Sequence, residues 1–224
     1  MKNLSMVLLL GLMAGAAMAY AGETPGTGGD LSPQTVPPFA RIKQPTTLMS
    51  TPPVFPFGIY SEKKARTNHY FPSGYMGDHG DLAVSEASTE NPHTGLTCVR
   101  VGYSAKVLQG AGWAGLYWLN PRNNWGGKDA GYDLTGAKKL VFWARGKKGG
   151  EVIDRFQLGG VQGDFPDTDT ASIGPVTLRD VWQKYEIDLT GKDLTKIIGG
   201  FMFAVNAQSN PDGLVIYLDD IRVE

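Results

Sequence analysis

The sequence predicts an all-β sandwich or barrel, and three observations support this prediction. Short runs of aromatic and β-branched residues alternate with polar residues at the period of two that is typical of strands. Turn residues separate these runs at regular spacing, and 30 of the 224 residues are glycine. Helical periodicity is confined to one candidate turn at 194–198. Short strands at regular spacing with turns between them favour a single β-sandwich domain over a mixed fold.

Nine strands are predicted in chain order. The segment 95–103 alternates well, 182–189 places apolar or aromatic residues at every second position, and 197–205 is almost continuously apolar. The segments 63–81, 121–131 and 159–170 are rich in turn residues and are predicted as loops. The predicted strands are 54–60, 95–103, 112–119, 139–144, 152–158, 176–178, 182–189, 197–205 and 214–223.

The first 53 residues are predicted to precede the folded domain. Residues 1–21 have the features of a signal peptide: Lys2 is followed by an apolar run and by the small-x-small sequence Ala17-Met18-Ala19. The run is too short to span a bilayer comfortably, so we expect an exported protein with no transmembrane segment after cleavage. Residues 22–53 are rich in proline, glycine and threonine and are predicted to form a linker. The sandwich domain is then 54–224.

Composition argues against several classes of function. The net charge of -1 leaves no basic stripe for a phosphate backbone, so nucleic acid is not an expected partner. Cys98 is the only cysteine, which excludes an internal disulfide and favours a small buried side chain. Nucleophile-elbow, phosphate-loop, dinucleotide and paired-histidine zinc motifs are missing. No catalytic residue is therefore predicted.

Clustered aromatic residues form the best candidate binding site. Large aromatics often fill a sandwich core, but an exposed one beside amide or guanidinium groups suits a sugar, whose flat C–H face stacks while its hydroxyls form hydrogen bonds. Trp125 lies in a polar loop, where no alternating strand pattern predicts that it is buried. Trp143 faces outward if Phe142 packs in the core. Period two also places Trp113 and Tyr117 on one face of a strand and Trp118 on the other. The predicted sugar-binding residues are Trp125, Trp143, Tyr117, Arg145, Asn123 and Asn124.

Two adjacent acids, Asp219 and Asp220, interrupt the apolar terminal strand. The one that points inward needs a partner, because an unpaired buried carboxylate is costly. A calcium ion with oxygen ligands from the early loops would satisfy it, and the candidate co-ligands are Glu62, Asp78 and Asp81. The alternative is a salt bridge to Arg222, Arg100 or Arg155.

Three motifs resemble those of galactose-binding-domain-like jelly rolls, a group that includes many carbohydrate-binding modules. Residues 133–146, which end in Leu-Val-Phe-Trp-Ala-Arg-Gly, are similar to a strand motif of these modules. Residues 182–189 resemble their W-x-x-Y-x-I-x-L strand, and 217–221 their closing strand. The resemblance implies a jelly-roll sandwich, a structural calcium with Asp219 as a ligand, and a concave face or loop edge that binds glycans. The segment 68–81 departs from the pattern.

The leading functional hypothesis is therefore a secreted, non-catalytic protein that binds a glycan or polysaccharide. A polysaccharide-acting enzyme is the first alternative, and it requires two carboxylates across a cleft. A surface structural or assembly protein is the second, and it predicts self-association through an exposed apolar patch.

Overall fold

Two antiparallel sheets face each other in the computed structural model of the protein, which describes residues 53–224. The predicted signal peptide, 1–21, and all of the predicted linker, 22–53, except its last residue lie outside the described residues. Within that described part, no helix is long and apolar enough to cross a membrane.

Thirteen strands and one short 3-10 turn make up the described chain. The 3-10 turn, His79–Asp81, lies between the second and third strands. The strands are β1 Phe57–Tyr60, β2 Phe71–Gly77, β3 Leu82–Ser88, β4 Cys98–Tyr103, β5 Trp113–Leu119, β6 Lys139–Gly146, β7 Val152–Ile153, β8 Arg155–Gly159, β9 Thr170–Ile173, β10 Val176–Thr177, β11 Gln183–Asp188, β12 Gly199–Asn206 and β13 Leu214–Val223.

Sheet A has the strand order β11-β6-β13-β4-β3, and β1 also pairs with β13. Sheet B has the order β2-β5-β12-β8-β9, while β7 and β10 form a separate two-stranded ribbon. Strands distant in sequence are neighbours in both sheets, as in a jelly roll rather than a simple meander. The predicted all-β sandwich is confirmed.

The core lies between the inner faces of the two sheets. Phe142 of sheet A packs against Phe156 and Phe201 of sheet B, with ring centroids 4.7 and 5.1 Å apart. Trp118 is fully buried and contacts Phe201 edge to face at 5.4 Å. Period two then turns the alternate residues of the same strands, including Tyr117 and Trp143, toward the outer faces.

Three strands lie where the sequence predicts no strand. The strand β2 falls within the segment predicted as a loop, because its proline and two glycines resemble a turn signal. Since β2 is an edge strand, Pro72 can be tolerated without breaking a central ladder. The strands β3 and β9 are also edge strands, and edge strands are half exposed and less apolar. The predicted helical turn at 194–198 is wrong: these residues form no helix.

Candidate functional site

A groove crosses the outer face of sheet B. Residues paired between neighbouring strands share a face, and one such row runs through all five strands of the sheet. The row consists of Gly74, Tyr117, Met202, Gln157 and Ser172. A parallel row contains Met76, Gly115, Ala204 and Arg155. Two of these positions, Gly74 and Gly115, are glycines, and the space beside them is occupied by the Trp125 indole and the Met76 methyl group.

Two exposed tryptophans border the β2–β5 side of this groove. Trp113 begins β5 and is 40% exposed, while Trp125 lies in the loop after β5 and is 43% exposed. Together with Met76 and Met202 they line a cavity of about 790 Å³. Exposed indoles beside an apolar floor form a surface on which flat apolar ligand faces can stack.

Trp125 is held in place by the glycine opposite it and by its own loop. A Cβ on Gly74 would lie 2.8 Å from the Cβ of Tyr117 and 3.1 Å from the Trp125 indole, so the glycine leaves the space that the indole occupies. Trp125 also contacts the Tyr117 ring edge to face, with centroids 5.9 Å apart. The Asn124 side chain donates to the Lys128 carbonyl at 3.0 Å and accepts from its N–H at 3.1 Å, which closes the loop.

Trp113 is positioned by a buried carboxylate. The Asp78 side chain accepts backbone N–H bonds from Gln109 at 2.7 Å, Ala111 at 3.1 Å and Gly112 at 2.6 Å. The Asp78 N–H in turn donates to the Trp113 carbonyl at 2.7 Å. These bonds hold the loop that leads into β5, and they therefore fix the backbone position from which the Trp113 side chain extends.

A polar network underlies the apolar floor. The Tyr117 hydroxyl donates to the Gly159 carbonyl at 3.1 Å and accepts from Gln157 Nε2 at 2.6 Å. Burial raises the pKa of Tyr117 to about 12, so the hydroxyl stays neutral. Asp154 is the one carboxylate in the lining of this cavity. Its side chain accepts from Asn206 Nδ2 at 2.7 Å, and burial raises its pKa.

The structure brings together only part of the predicted sugar-binding set. Trp125 and Tyr117 share the groove, although Tyr117 is almost fully buried and forms its floor. Asn123 is exposed but is not among the residues that line the cavity, and its backbone N–H donates to Ser73 Oγ at 3.0 Å. Asn124 is only 3% exposed, and both ends of its amide are bonded within the loop. Asn124 therefore organises the site rather than facing a ligand.

Trp143 and Arg145 lie on the other sheet. Both are on the outer face of sheet A, where residues 89–97, here called the strap, cover them. His93 of the strap stacks on Trp143 with ring centroids 3.8 Å apart. Arg145 is 8% exposed, donates to the Glu90 carbonyl at 2.7 Å and lies over the Tyr217 ring at 3.8 Å. The expectation that these two residues join Trp125 in one exposed site is not supported by this arrangement.

The four predicted calcium ligands do not meet. Glu62 accepts N–H bonds from Leu96 and Thr97, and Asp219 accepts them from His93 and Thr94, so this pair fastens the strap. Asp78 binds the loop before β5, and Asp81 accepts from Ser104 Oγ at 2.7 Å and Val107 N–H at 2.8 Å. Among residues 53–224, no three His, Cys, Asp or Glu side chains converge as a metal site would require. The four carboxylates accept hydrogen bonds at separate places and do not fit one shared calcium site. Calcium binding itself stays a prediction from the sequence.

The pH dependence of stability tests whether a cation binds Asp219. Burial raises the pKa of Asp219 to about 6, above its ordinary value of 3.8. The folded state then binds more protons than the unfolded state between about pH 4 and 6. We therefore expect the free energy of unfolding, relative to Asp219→Asn, to rise as the pH falls from 7 to 4. A bound calcium would lower the pKa and reverse this slope, and chelation would then lower the melting temperature by several degrees. Urea unfolding at four pH values, with calcium or EDTA, distinguishes the two.

Several groove residues were not predicted as ligands. Met76, Met202, Gln157 and Arg155 carry no local motif, because only strand pairing brings them to one face. The sequence did indicate that Trp113 belongs to this site, because the period of two placed it on the same face as Tyr117. Its exposure at the start of β5 is what the sequence did not indicate.

The fold of this chain is similar to that of solved carbohydrate-binding modules. One structure of a family 30 carbohydrate-binding module matches with a TM-score of 0.53 at 17% identity, covering 76% of this chain and 99% of that one. A second structure of a family 30 module matches with a TM-score of 0.52 at 19% identity, covering 76% of this chain and 87% of that one. The family 30 module of the cellulosomal cellulase Cel9D-Cel44B of Clostridium thermocellum matches with a TM-score of 0.51 at 17% identity, covering 76% of this chain and 98% of that one. The chain has the jelly-roll fold of these modules. No protein-family model and no curated protein sequence matches it.

Proposed function

We propose that the protein is an exported, non-catalytic glycan-binding protein whose binding surface is the groove of sheet B. The observation that carries the proposal is the pair of exposed indoles, Trp113 and Trp125, above an apolar floor. Exposed indoles of this kind cost solvation energy in an isolated protein and suit the C–H faces of pyranose rings. The fold similarity to carbohydrate-binding modules supports the same proposal.

Within the aromatic cavity, the single carboxylate favours binding over catalysis. Hydrolysis of a glycosidic bond by the usual mechanism needs two carboxylates facing each other across the substrate. Asp154 is the one acid that lines the aromatic cavity, and its carboxylate is bonded to Asn206. Glu90 and Glu186, in contrast, form ion pairs with Arg100 and with Lys139 and Lys184.

Affinity electrophoresis tests the proposed function. The wild-type protein should be retarded in native gels that contain one of the soluble polysaccharides mixed-linkage β-glucan, xyloglucan, glucomannan or xylan. Trp113→Ala should reduce the retardation several-fold, because it removes one wall of the groove. Trp143→Ala, on sheet A, is the matched control and should be retarded like the wild type. Unretarded wild-type protein in all four gels, or equal retardation of Trp113→Ala, contradicts the proposal.

A further inference from the structure

Both methionines of residues 53–224 lie in the groove of sheet B. Met76 of β2 and Met202 of β12 line the aromatic cavity of about 790 Å³ together with the exposed indoles of Trp113 and Trp125. A thioether is an apolar group that makes favourable contacts with aromatic rings. A hydroperoxide oxidises it to a sulfoxide, which is polar. The floor of the groove therefore contains a group whose polarity a mild oxidant can change.

The two methionines differ in how well they are covered. Met76 is partly exposed, and its row continues with Gly115 and Ala204, which carry no side chain and a single methyl group. A Cβ on Gly115 would lie 2.8 Å from the Met76 Cε atom, so the end of the Met76 side chain occupies the space that the glycine leaves. Because these neighbours are too short to reach over it, the Met76 thioether stays open to the groove.

Met202 is the covered member of the pair. Its partners on the neighbouring strands are Tyr117 and Gln157, which have long side chains. It is 5% exposed and packs in a small cluster with Leu119 and Val161. The same chemical group thus occurs twice in one cavity, once open and once covered. An oxidant in solution therefore reaches Met76 more readily than Met202.

Cys98 carries the third sulfur atom of residues 53–224, and it does not compete with Met76 for an oxidant. Its side chain is fully buried in β4. Burial raises the pKa of the Cys98 thiol to about 11, so the thiolate, which is the reactive form, is scarce at neutral pH. Met76 is therefore the most accessible sulfur of the described chain.

We propose that Met76 is an oxidation site whose modification by a hydroperoxide controls binding in the groove. The sulfur lone pair of Met76 forms a bond to one peroxide oxygen, and the O–O bond breaks. The proton of the transferred OH group passes to the departing oxygen, which leaves as water or as an alcohol. The thioether is oxidised by two electrons to the sulfoxide, and the peroxide is reduced by two.

The sulfoxide weakens binding because of where Met76 lies. Its S–O dipole is placed in the apolar floor, where the C–H face of a stacked ring would remove water from it without offering a hydrogen bond. Methionine sulfoxide reductases convert the sulfoxide back to the thioether, so the change is reversible. This inference rests on the proposed function and adds to it a regulation of the same site.

Peptide mapping by mass spectrometry tests which sulfur reacts. The folded full chain is treated with dilute hydrogen peroxide at neutral pH, and the sulfoxide at Met76 and at Met202 is followed with time. Met76 should react about tenfold faster or more, because Met202 must first be uncovered by a local opening of the fold. In concentrated urea, where neither side chain is covered, the two rates should be similar. Equal rates in the folded protein overturn the inference.

Affinity electrophoresis before and after peroxide treatment tests the effect on binding. The gel contains whichever of the four polysaccharides retards untreated wild type most. Oxidised wild type should lose about fivefold or more of its retardation, and methionine sulfoxide reductases should restore it. Met76→Leu has a similar volume and no sulfur, so peroxide should leave its retardation unchanged. Met202→Leu is the matched control and should respond to peroxide as wild type does.

The outcomes separate this inference from the proposed function. Each variant is compared with its own untreated sample, so a change in its basal affinity does not enter the comparison. Unchanged retardation of wild type after complete oxidation of Met76, or an equal loss in Met76→Leu, overturns the inference and leaves the proposed function standing. If untreated wild type is retarded in none of the four gels, the proposed function fails, and control of binding by Met76 fails with it.

Discussion

Replacing Trp125 with alanine is expected to lower the affinity for a bound polysaccharide by about thirtyfold or more, which corresponds to about 2 kcal/mol at a binding hot spot. The indole is 43% exposed, so it presents a large free face above the groove. Its other contacts are an edge-to-face contact with Tyr117 and the space above Gly74, both at the surface of the sheet. The substitution therefore removes a ligand contact while leaving the core between the sheets unchanged.

A conservative substitution separates stacking from general disruption of the loop. Trp125→Phe keeps a flat aromatic face and should retain most of the affinity, whereas Trp125→Ala keeps none. The melting temperatures of both variants should lie within about 4 °C of wild type, because an exposed contact contributes about 1 kcal/mol to folding. Equal affinity losses in the two variants, or a large fall in melting temperature, would mean that Trp125 acts by holding the loop and not by stacking.

Gly200→Ala is expected to destabilise the fold by about 3 kcal/mol, the upper range for inserting a methyl group into a packed core. A Cβ at this position would lie 2.6 Å from the ring of Tyr70. The Tyr70 ring cannot move away easily, because it is fully buried and its hydroxyl donates to the Ile197 carbonyl at 3.0 Å. Thermal denaturation should show a melting temperature lower by about 6–12 °C for a domain of this size.

Gly127→Ala is the matched control for this substitution. A Cβ on Gly127 meets no atom within 4 Å, and its φ lies outside the left-handed region. Its melting temperature should therefore stay within about 2 °C of wild type, as for most surface substitutions. A Gly200→Ala protein as stable as Gly127→Ala would show that the packing around Tyr70 relaxes at little cost.

Much of sheet A and the centre of sheet B could be predicted from the sequence. Central strands such as β6, β12 and β13 are buried on their inner face and partly on their outer face, so their apolar pattern is strong. The edge strands β2, β3 and β9 carry a weaker pattern, since one edge and one face meet solvent. Their pairing depends on partners distant in the sequence, which a local pattern cannot indicate.

The candidate site could be predicted only in part, for a related reason. The period of two correctly turns Trp143 outward, but it does not tell which of two outer faces a strand contributes to, or what covers that face. The strap covers Trp143 through His93, whereas nothing in the described chain covers Trp125 to the same extent. Such coverage comes from tertiary contacts, including those of Glu62 and Asp219 with the strap.

The pairing of β1 with the end of β13 places the first and last strands of the domain next to each other. Phe57 is the partner of Val223, so both ends of the described chain meet side by side in sheet A, while the groove lies on sheet B. The ends of β1 and β13 therefore both belong to the sheet that does not carry the groove. A tether attached after β13 is thus anchored in sheet A and not in the sheet that carries the groove.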